Sequence, residues 1–148
     1  MRSLFLVSLL AGGAAIAACG SASHSRSTST PPATAAEQVA RGQALFGRHC
    51  AKCHGDAGQG TEDAPRVVGL KEGALPLDPP PSRKVRKSRF VNVGDVADFV
   101  MTNMPAKKPG SLQPDEYLAI LAFDLHANGI DLDQPLTLGK ARQMMIPR

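Results

Sequence analysis

The chain has 148 residues and a net charge of +4, with 43% hydrophobic and 20% charged residues. These values are typical of one soluble globular domain and exclude a disordered chain. Only one long apolar run exists, which excludes a multi-spanning membrane protein, and three cysteines are too few for a disulfide-stapled scaffold. Only 4% of the residues are aromatic, so a domain of roughly 100 residues would have a thin core unless another group fills it.

The first eighteen residues have the layout of an export signal: a positive end at Arg2, an apolar segment, then small residues. The apolar segment is short and rich in Ala and Gly, which argues against a transmembrane anchor. Ile16-Ala17-Ala18-Cys19 resembles the lipobox of bacterial lipoproteins, in which the cysteine is acylated and becomes the mature N-terminus. We therefore expect a lipid on Cys19, with plain secretion after cleavage near Ala18 as the alternative.

A small, polar, Pro-containing stretch follows, which cannot bury a core and predicts a flexible tether. The first predicted helix begins after it. Thr34 and Glu37 fit a capping box. Val39, Gly42, Phe46 and Cys50 then recur at three- and four-residue steps, which predicts a helix of about 14 residues that runs directly into the next motif.

That motif, Cys50-Ala51-Lys52-Cys53-His54, has the C-x-x-C-H pattern of c-type haem attachment. Two thiols one helical turn apart can each add to a vinyl group of one porphyrin, and His54 then binds the iron as proximal ligand. A thioredoxin-like site would need a strand before the motif, a zinc site would need a second Cys/His pair, and a structural disulfide would leave His54 unexplained. We therefore predict one covalent haem c, whose attachment outside the cytoplasm agrees with the export signal.

Together these motifs resemble class I monohaem cytochromes c, over residues 36–129. In that family a glycine at the position of Gly42 lets the last helix cross the first closely, and a glycine-rich turn such as residues 55–60 follows the haem motif. Pro65 matches the proline whose carbonyl accepts a hydrogen bond from the proximal histidine, which fixes the imidazole and tunes the iron. The chain has no Trp for a haem propionate, and residues 71–90 match no feature of the family.

A basic segment ends this unmatched stretch. It places five cations within seven residues: Arg83, Lys84, Arg86, Lys87 and Arg89. One interpretation is a solvated loop. A second is a docking surface that, with Lys107 and Lys108, rings the haem edge and steers an acidic redox partner. A third is attraction to anionic lipid headgroups. Nucleic-acid binding is not expected of an exported protein without stacking aromatics.

The sixth iron ligand is predicted to be Met104. Residues 94–105 predict a short helix with Asp95 as N-cap, ending at a Met-Pro pair that resembles the class I ligand loop. The other candidates are Met101, Met144, Met145, His126 and lysine side chains. The position of Met101 within the helix favours core packing. Met144 and Met145 lie near the C-terminus, where a ligand would be poorly held. The alternative is that Met104 packs in the core and the iron is open or bound by another group.

The last predicted helix begins at Pro114 and ends at Asn128-Gly129. It is similar to the last helix of bacterial cytochromes c that accompany periplasmic quinoprotein dehydrogenases, and Ile120 and Phe123 are expected to contact the first helix. The expected layout is a lipoprotein signal peptide over 1–18, a tether over 19–35, a haem domain over 36–130 and a C-terminal tail over 131–148 packed on the domain.

The predicted fold is all-α, with three main helices and long loops around one haem c that replaces the missing aromatic core. The resemblance implies a one-electron carrier and not an enzyme. We expect a monomeric domain that is held on the periplasmic or outer face of the cytoplasmic membrane. It would exchange electrons with an acidic partner, a dehydrogenase or a terminal oxidase, in a respiratory chain. Two rival functions stay open: a haem sensor or peroxidase-like catalyst with an open iron, and a structural lipoprotein with an incidental C-x-x-C-H.

Overall fold

The computed structural model describes residues 31–147 apart from positions 83 and 85. The expectations for the signal peptide, for Cys19, for most of the tether and for Arg83 fall outside these residues. The described part contains five α-helices: α1 (Ala35–His49), α2 (Ala51–His54), α3 (Val93–Asn103), α4 (Pro114–Ala127) and α5 (Leu138–Gln143). A 3-10 turn spans Leu70–Glu72. The described part of the chain contains no β-strand, and none of its helices has the length and apolar character needed to span a bilayer.

Helix α1 begins as the sequence predicts. The Thr34 hydroxyl accepts a hydrogen bond from the Glu37 amide at 3.1 Å, and the Glu37 carboxylate accepts one from the Thr34 amide at 3.1 Å. This reciprocal pair satisfies amides that would otherwise lack a partner at the helix start. The helix ends where the Cys50 amide donates to the Phe46 carbonyl at 2.8 Å, so α1 delivers the chain directly into the C-x-x-C-H motif.

Helices α1 and α4 cross in close contact. A Cβ atom at Gly42 would lie 1.9 Å from the Ala119 carbonyl oxygen, so only glycine permits this approach. Next to it, the rings of Phe46 and Phe123 pack with their centroids 5.3 Å apart. Ile120 joins the same buried cluster. The contacts expected of Ile120 and Phe123 are therefore present, and they fix the end of α1 against the middle of α4.

The N-cap of helix α3 lies three residues earlier than predicted. Its N-cap is Asn92, whose side chain accepts from the Asp95 amide at 3.0 Å, while the Asp95 carboxylate accepts from the Asn92 amide at 3.1 Å. The prediction of Asp95 as N-cap was therefore wrong: Asp95 is the third helical residue and supplies the returning half of a capping box. The helix ends at Asn103, so Met104 is the first residue beyond it.

The C-terminal tail is part of the core. Leu136, Ala141 and Ile146 are all buried, and the last two lie in or beyond α5, a helix that the sequence pattern did not reveal. The buried Gln38 side chain of α1 donates to the Leu136 carbonyl at 3.0 Å and accepts from its amide at 2.6 Å. Because the Gln38 side-chain amide bonds both backbone groups of Leu136, it holds the tail against α1.

The unmatched stretch before α3 folds around one arginine. Arg86 is only 7% exposed. Its guanidinium lies 3.8 Å from the centre of the Phe90 ring and donates hydrogen bonds of 2.6–2.7 Å to four backbone carbonyls, those of Pro76, Leu77, Asp78 and Ser88. Arg86 therefore cannot belong to a docking surface, and that prediction was wrong. The cation organises the loop from inside, because a planar guanidinium presents donors that match several carbonyls at once.

Candidate functional site

The two motif cysteines lie on consecutive turns of backbone. The Cys53 and His54 amides both donate to the Cys50 carbonyl at 3.0 Å, which winds the motif into the short helix α2. Both thiols are free and half-buried. Burial, with smaller contributions from the charge of Asp124 and from Cys53, raises the pKa of the Cys50 thiol to about 12. The site therefore offers two free thiols at the C-x-x-C spacing.

His54 is oriented by the loop that follows the motif. Its Nδ1–H donates to the Pro65 carbonyl at 2.8 Å, the contact that the resemblance to class I cytochromes c implies for Pro65. Since Nδ1 carries the proton in this bond, Nε2 is left as the atom that can bind a metal. The Gly60 amide donates to the His54 carbonyl at 2.7 Å, and a Cβ at Gly60 would lie 2.8 Å from the Arg66 amide nitrogen. This glycine lets the loop fold back closely enough to bring Pro65 to the imidazole.

Helix α4 holds the segment that carries Met104. The Tyr117 hydroxyl donates to the Met104 carbonyl at 2.6 Å and accepts from the Leu112 amide at 3.4 Å. The Met104 amide in turn donates to the Val100 carbonyl at 2.9 Å, so both backbone groups of this residue are fixed. Tyr117 is 4% exposed. The sequence analysis gave Tyr117 no such role, although the single tyrosine of the chain, placed at a core position of a helix, needs a partner for its hydroxyl.

The C-terminal end of α4 is tied to the loop after the motif. The Asn128 side chain accepts from the Gly69 amide at 2.8 Å and donates to the Val67 carbonyl at 2.9 Å. With the Tyr117 contact at its other end, α4 forms a common support for the His54 loop and for the Met104 segment. The candidate ligand residues thus come from elements that share one rigid neighbour.

Asp124 is a buried carboxyl beside this site. It is 8% exposed, and its Oδ1 has no hydrogen-bond partner. Burial raises its pKa to about 8. Its charge contributes to the raised pKa of the Cys50 thiol. The sequence analysis gave Asp124 no role. The only available signal was an acidic residue inside an otherwise apolar helix face.

The donor set fits a covalently bound haem: two free thiols at the C-x-x-C spacing and an imidazole with Nε2 available. Across residues 31–147 apart from the two positions left out, no group of three or more His, Cys, Asp or Glu side chains is arranged to hold a metal ion. The second Cys/His pair that a zinc site needs is therefore not found in this part of the chain.

The remaining basic residues assigned to docking are exposed: Lys84, Lys87, Arg89, Lys107 and Lys108. The Arg89 guanidinium forms an ion pair with Asp78 at 3.3 Å, and both side chains are largely in solvent. The Lys108 amide donates to the Pro105 carbonyl at 2.7 Å, so the two lysines lie in the turn directly after the Met104 segment.

The family model described as cytochrome c oxidase, cbb3-type, subunit III matches residues 37–123. The chain belongs to this family of cytochrome c domains. The cytochrome is also similar to the crystal structure of the sulfane dehydrogenase SoxCD from Paracoccus pantotrophus, with a TM-score of 0.56 and 36% sequence identity. That match covers 74% of this chain and 53% of the other, so the chain spans about half the length of that structure's chain. No match is found among curated proteins.

These comparisons confirm the predicted identity at the level of the domain. The protein is a monohaem class I cytochrome c of the all-α type, it carries covalent haem c with its iron, and it is an electron-transfer protein rather than an enzyme in its own right.

Proposed function

We propose that this cytochrome is a membrane-tethered one-electron carrier whose haem is attached through Cys50 and Cys53, with His54 and Met104 as axial ligands. The hydrogen bond from His54 Nδ1 to the Pro65 carbonyl carries the proposal most directly, because it fixes the imidazole with Nε2 directed away from the protein contact. Haem c, when bound, supplies the one-electron couple. The residues of the chain hold it, set its ligands and limit how its surroundings move.

The two cysteines and the α1–α4 crossing give a rigid attachment. The Cys50 amide is held by α1, and the crossing at Gly42 fixes α1 on α4. Since electron transfer is fastest when the surroundings reorganise little, a rigid attachment favours rapid exchange. His54, held through Pro65, is part of the same rigid unit.

Met104 supplies the second ligand in the proposal. The Tyr117 hydroxyl holds the Met104 carbonyl, and α3 holds its amide. A thioether ligand raises the reduction potential of a haem relative to a second nitrogen ligand. This suits a carrier that delivers electrons toward an oxidant of high potential.

The partners are proposed from charge and from the relatives. A family named for an oxidase subunit and a similar structure that is a dehydrogenase favour a dehydrogenase as donor or a terminal oxidase as acceptor. The exposed cations at Lys84, Lys87, Arg89, Lys107 and Lys108 favour an acidic docking face on that partner. Acylation of Cys19 after export would hold the cytochrome at the periplasmic or outer face of the membrane, because several acyl chains give durable anchoring.

The attachment is tested by exporting the full chain together with a haem-maturation system. We expect a mature protein whose mass exceeds that of the acylated polypeptide by one haem, and haem that stays with the protein in acid–organic extraction. The Cys50→Ser/Cys53→Ser double variant should lose its haem in that extraction. A double variant that keeps it would contradict the attachment.

The tether is tested with Cys19→Ala. Loss of the acylated residue should move the cytochrome from the membrane fraction to the soluble fraction, or halt its processing. Fully processed Cys19→Ala protein that stays on the membrane would contradict the lipid anchor and indicate a protein as the anchor.

A further inference from the structure

Three polar or charged side chains are buried in the described part of the chain: Gln38, Arg86 and Asp124. Gln38 bonds two backbone groups and Arg86 bonds four. Asp124 differs, because its Oδ1 has no hydrogen-bond partner. A buried carboxyl oxygen without a partner is unfavourable for folding, and it becomes far more unfavourable when the group is charged. A group retained at such a position calls for a physical explanation other than packing.

Asp124 lies where the haem must be attached. Phe123, its neighbour on α4, packs on Phe46, and Cys50 follows Phe46 by one helical turn. Cys50 itself packs against the buried cluster that contains Ile120, and Asp124 follows Ile120 by one turn of α4. A haem bound at Cys50 therefore brings its ring, and the charge of its iron, near the Asp124 carboxyl.

We propose that Asp124 is the proton-releasing group of this cytochrome: oxidation of the haem iron ionises the Asp124 carboxyl, so electron transfer is coupled to proton transfer. The inference rests on the proposed haem attachment at Cys50. The Asp124 carboxylic acid would lose one proton to water and become a carboxylate when the bound haem gives one electron to the redox partner. Reduction reverses both transfers.

The physical basis is electrostatic. Burial holds the pKa of Asp124 near 8, so the group is a neutral acid in the reduced protein at neutral pH. Oxidation adds one positive charge to the iron, which favours the carboxylate and lowers the pKa. The coupling is reciprocal: an ionised Asp124 stabilises the ferric state by the same free energy. The midpoint potential should therefore fall with rising pH between the pKa of the oxidised protein and the higher pKa of the reduced protein.

The other ionisable groups near α4 do not replace Asp124 in this role. Cys50 and Cys53, the two attachment cysteines, would not titrate as thioethers. Arg41 of α1 pairs with Asp115, in the first turn of α4, at 2.8 Å. Asp95 of α3 caps its own helix, and Asp98 pairs with Arg142 of α5 at 3.5 Å. The remaining ionisable residues of α1 and α2 are Glu37, Arg48, His49 and Lys52, all exposed, and His54, which is half-buried and bonded to Pro65.

The Asn128 side chain does not hydrogen-bond the Asp124 carboxyl group. Its amide donates to the backbone carbonyl of Asp124 at 2.8 Å, and not to the carboxyl group. His126, two residues along α4, is exposed and bonded to Asp131 at 2.7 Å. The carboxyl thus responds to the haem with little competition from fixed charges.

The test is a redox titration of the holoprotein at a series of pH values from about 5 to about 10, a range that brackets the expected pKa. In the parent, the equilibrium constant for reduction should fall by as much as about tenfold per pH unit between the Asp124 pKa of the oxidised protein and that of the reduced protein. It should be constant on either side of this pH window. A parent potential that does not change over this range would overturn the proposal, provided that the mass shows one haem. A protein without haem would instead contradict the attachment itself.

The variants assign the window to a residue. Asp124→Asn keeps the shape of the side chain without the titrating proton, so its potential should lose the pH-dependent segment that the parent shows. Asp115→Asn, an exposed aspartate on the same helix, should behave as the parent does. An Asp124→Asn protein that keeps the full pH dependence would assign it to other groups, such as the haem propionates, and would overturn the proposal.

A second measurement needs no variant. The oxidised-minus-reduced infrared difference spectrum of the parent should show a protonated carboxylic acid that disappears on oxidation at a pH inside the window. A spectrum without that loss contradicts the proposal even where Asp124→Asn fails to fold.

Discussion

The loop around Arg86 and the helix crossing around Asp124 each bury an ionisable side chain, but in opposite ways. Arg86 has four carbonyl partners and an aromatic ring, so its charge is compensated by fixed dipoles. Asp124 has an oxygen with no partner, so its burial displaces its proton equilibrium instead. The comparison indicates that a buried ionisable group with all its hydrogen-bond partners stabilises the structure. One that lacks a partner can instead change its protonation state when a nearby charge changes.

The largest effect on stability should follow from Arg86→Met. The substitution leaves four inward-facing carbonyls without their donor, and we expect it to lower the free energy of unfolding of the holoprotein by about 3 kcal/mol. Lys87→Met, at the exposed neighbouring position, should change it by less than about 0.5 kcal/mol. Denaturant unfolding measures both. Equal effects of the two variants would show that Arg86 is not the organiser of the loop.

Asp124→Asn should have the next largest effect, and it should depend on pH. Folding raises the pKa of Asp124 from 3.8 to about 8, so the folded state binds a proton that the unfolded state has lost. The contribution of Asp124 to stability is therefore complete below pH 3.8 and falls as the pH rises toward 8. Relative to the parent, the variant should gain stability as the pH rises across this range.

The difference between the unfolding free energies of parent and variant, measured at several pH values, isolates this residue from the other acids. The gain should be larger in the reduced than in the oxidised protein, because the ferric charge favours the carboxylate. A difference that stays constant with pH would show that the Asp124 carboxyl titrates normally in the folded protein.

The sequence was most informative where local chemistry decides the structure. The Thr34–Glu37 box, the glycine at 42 and the C-x-x-C-H motif each need only near neighbours or a single steric requirement, and each corresponds to an observed feature. The contact from His54 to Pro65 came from the resemblance and not from spacing. The start of α3 was misplaced because Asn92 and Asp95 are both typical N-cap residues, and the pattern did not resolve which of them caps the helix.

The sequence was least informative where a side chain acts against its average behaviour. Arg86 lies in a run of cations, and the composition of that run predicted an exposed side chain. Only the folded loop brings the carbonyls around it. No sequence pattern singled out Asp124, because helical periodicity does not reveal whether a carboxyl has partners. Helix α5 is six residues long and owes its position to long-range contacts such as that of Gln38 with Leu136, which no local pattern contains.

Tyr117→Phe should have a smaller effect, confined to the Met104 segment. Loss of the hydroxyl bond to the Met104 carbonyl should lower stability by about 1 kcal/mol and speed the displacement of the methionine by added imidazole about fivefold. Thr102→Val removes a hydroxyl bond of 2.7 Å to the Asp98 carbonyl at the end of α3, and it should leave the displacement rate unchanged. Equal rates in the parent and Tyr117→Phe would contradict the positioning role.

The smallest effect on the fold should come from the exposed cations. Replacing Lys84, Lys87, Arg89, Lys107 and Lys108 by Gln, with Arg86 retained, should leave stability and midpoint potential nearly unchanged. It should slow electron transfer to the native partner at low ionic strength and flatten the salt dependence of that rate. Lys140→Gln/Arg142→Gln on α5 is the matched control and should preserve both. An unchanged rate and salt dependence in the five-site variant would leave this segment as a solvated loop.

The central claim, a haem held between His54 and Met104, is tested most directly by the sulfur-to-iron charge-transfer band of the oxidised protein. The account predicts this band in the parent and in Met101→Ala, and its loss in Met104→Ala together with carbon monoxide binding to the reduced variant. A Met104→Ala protein that keeps the band would move the ligand to another residue. A parent that lacks the band and binds carbon monoxide would contradict the carrier and indicate an open iron.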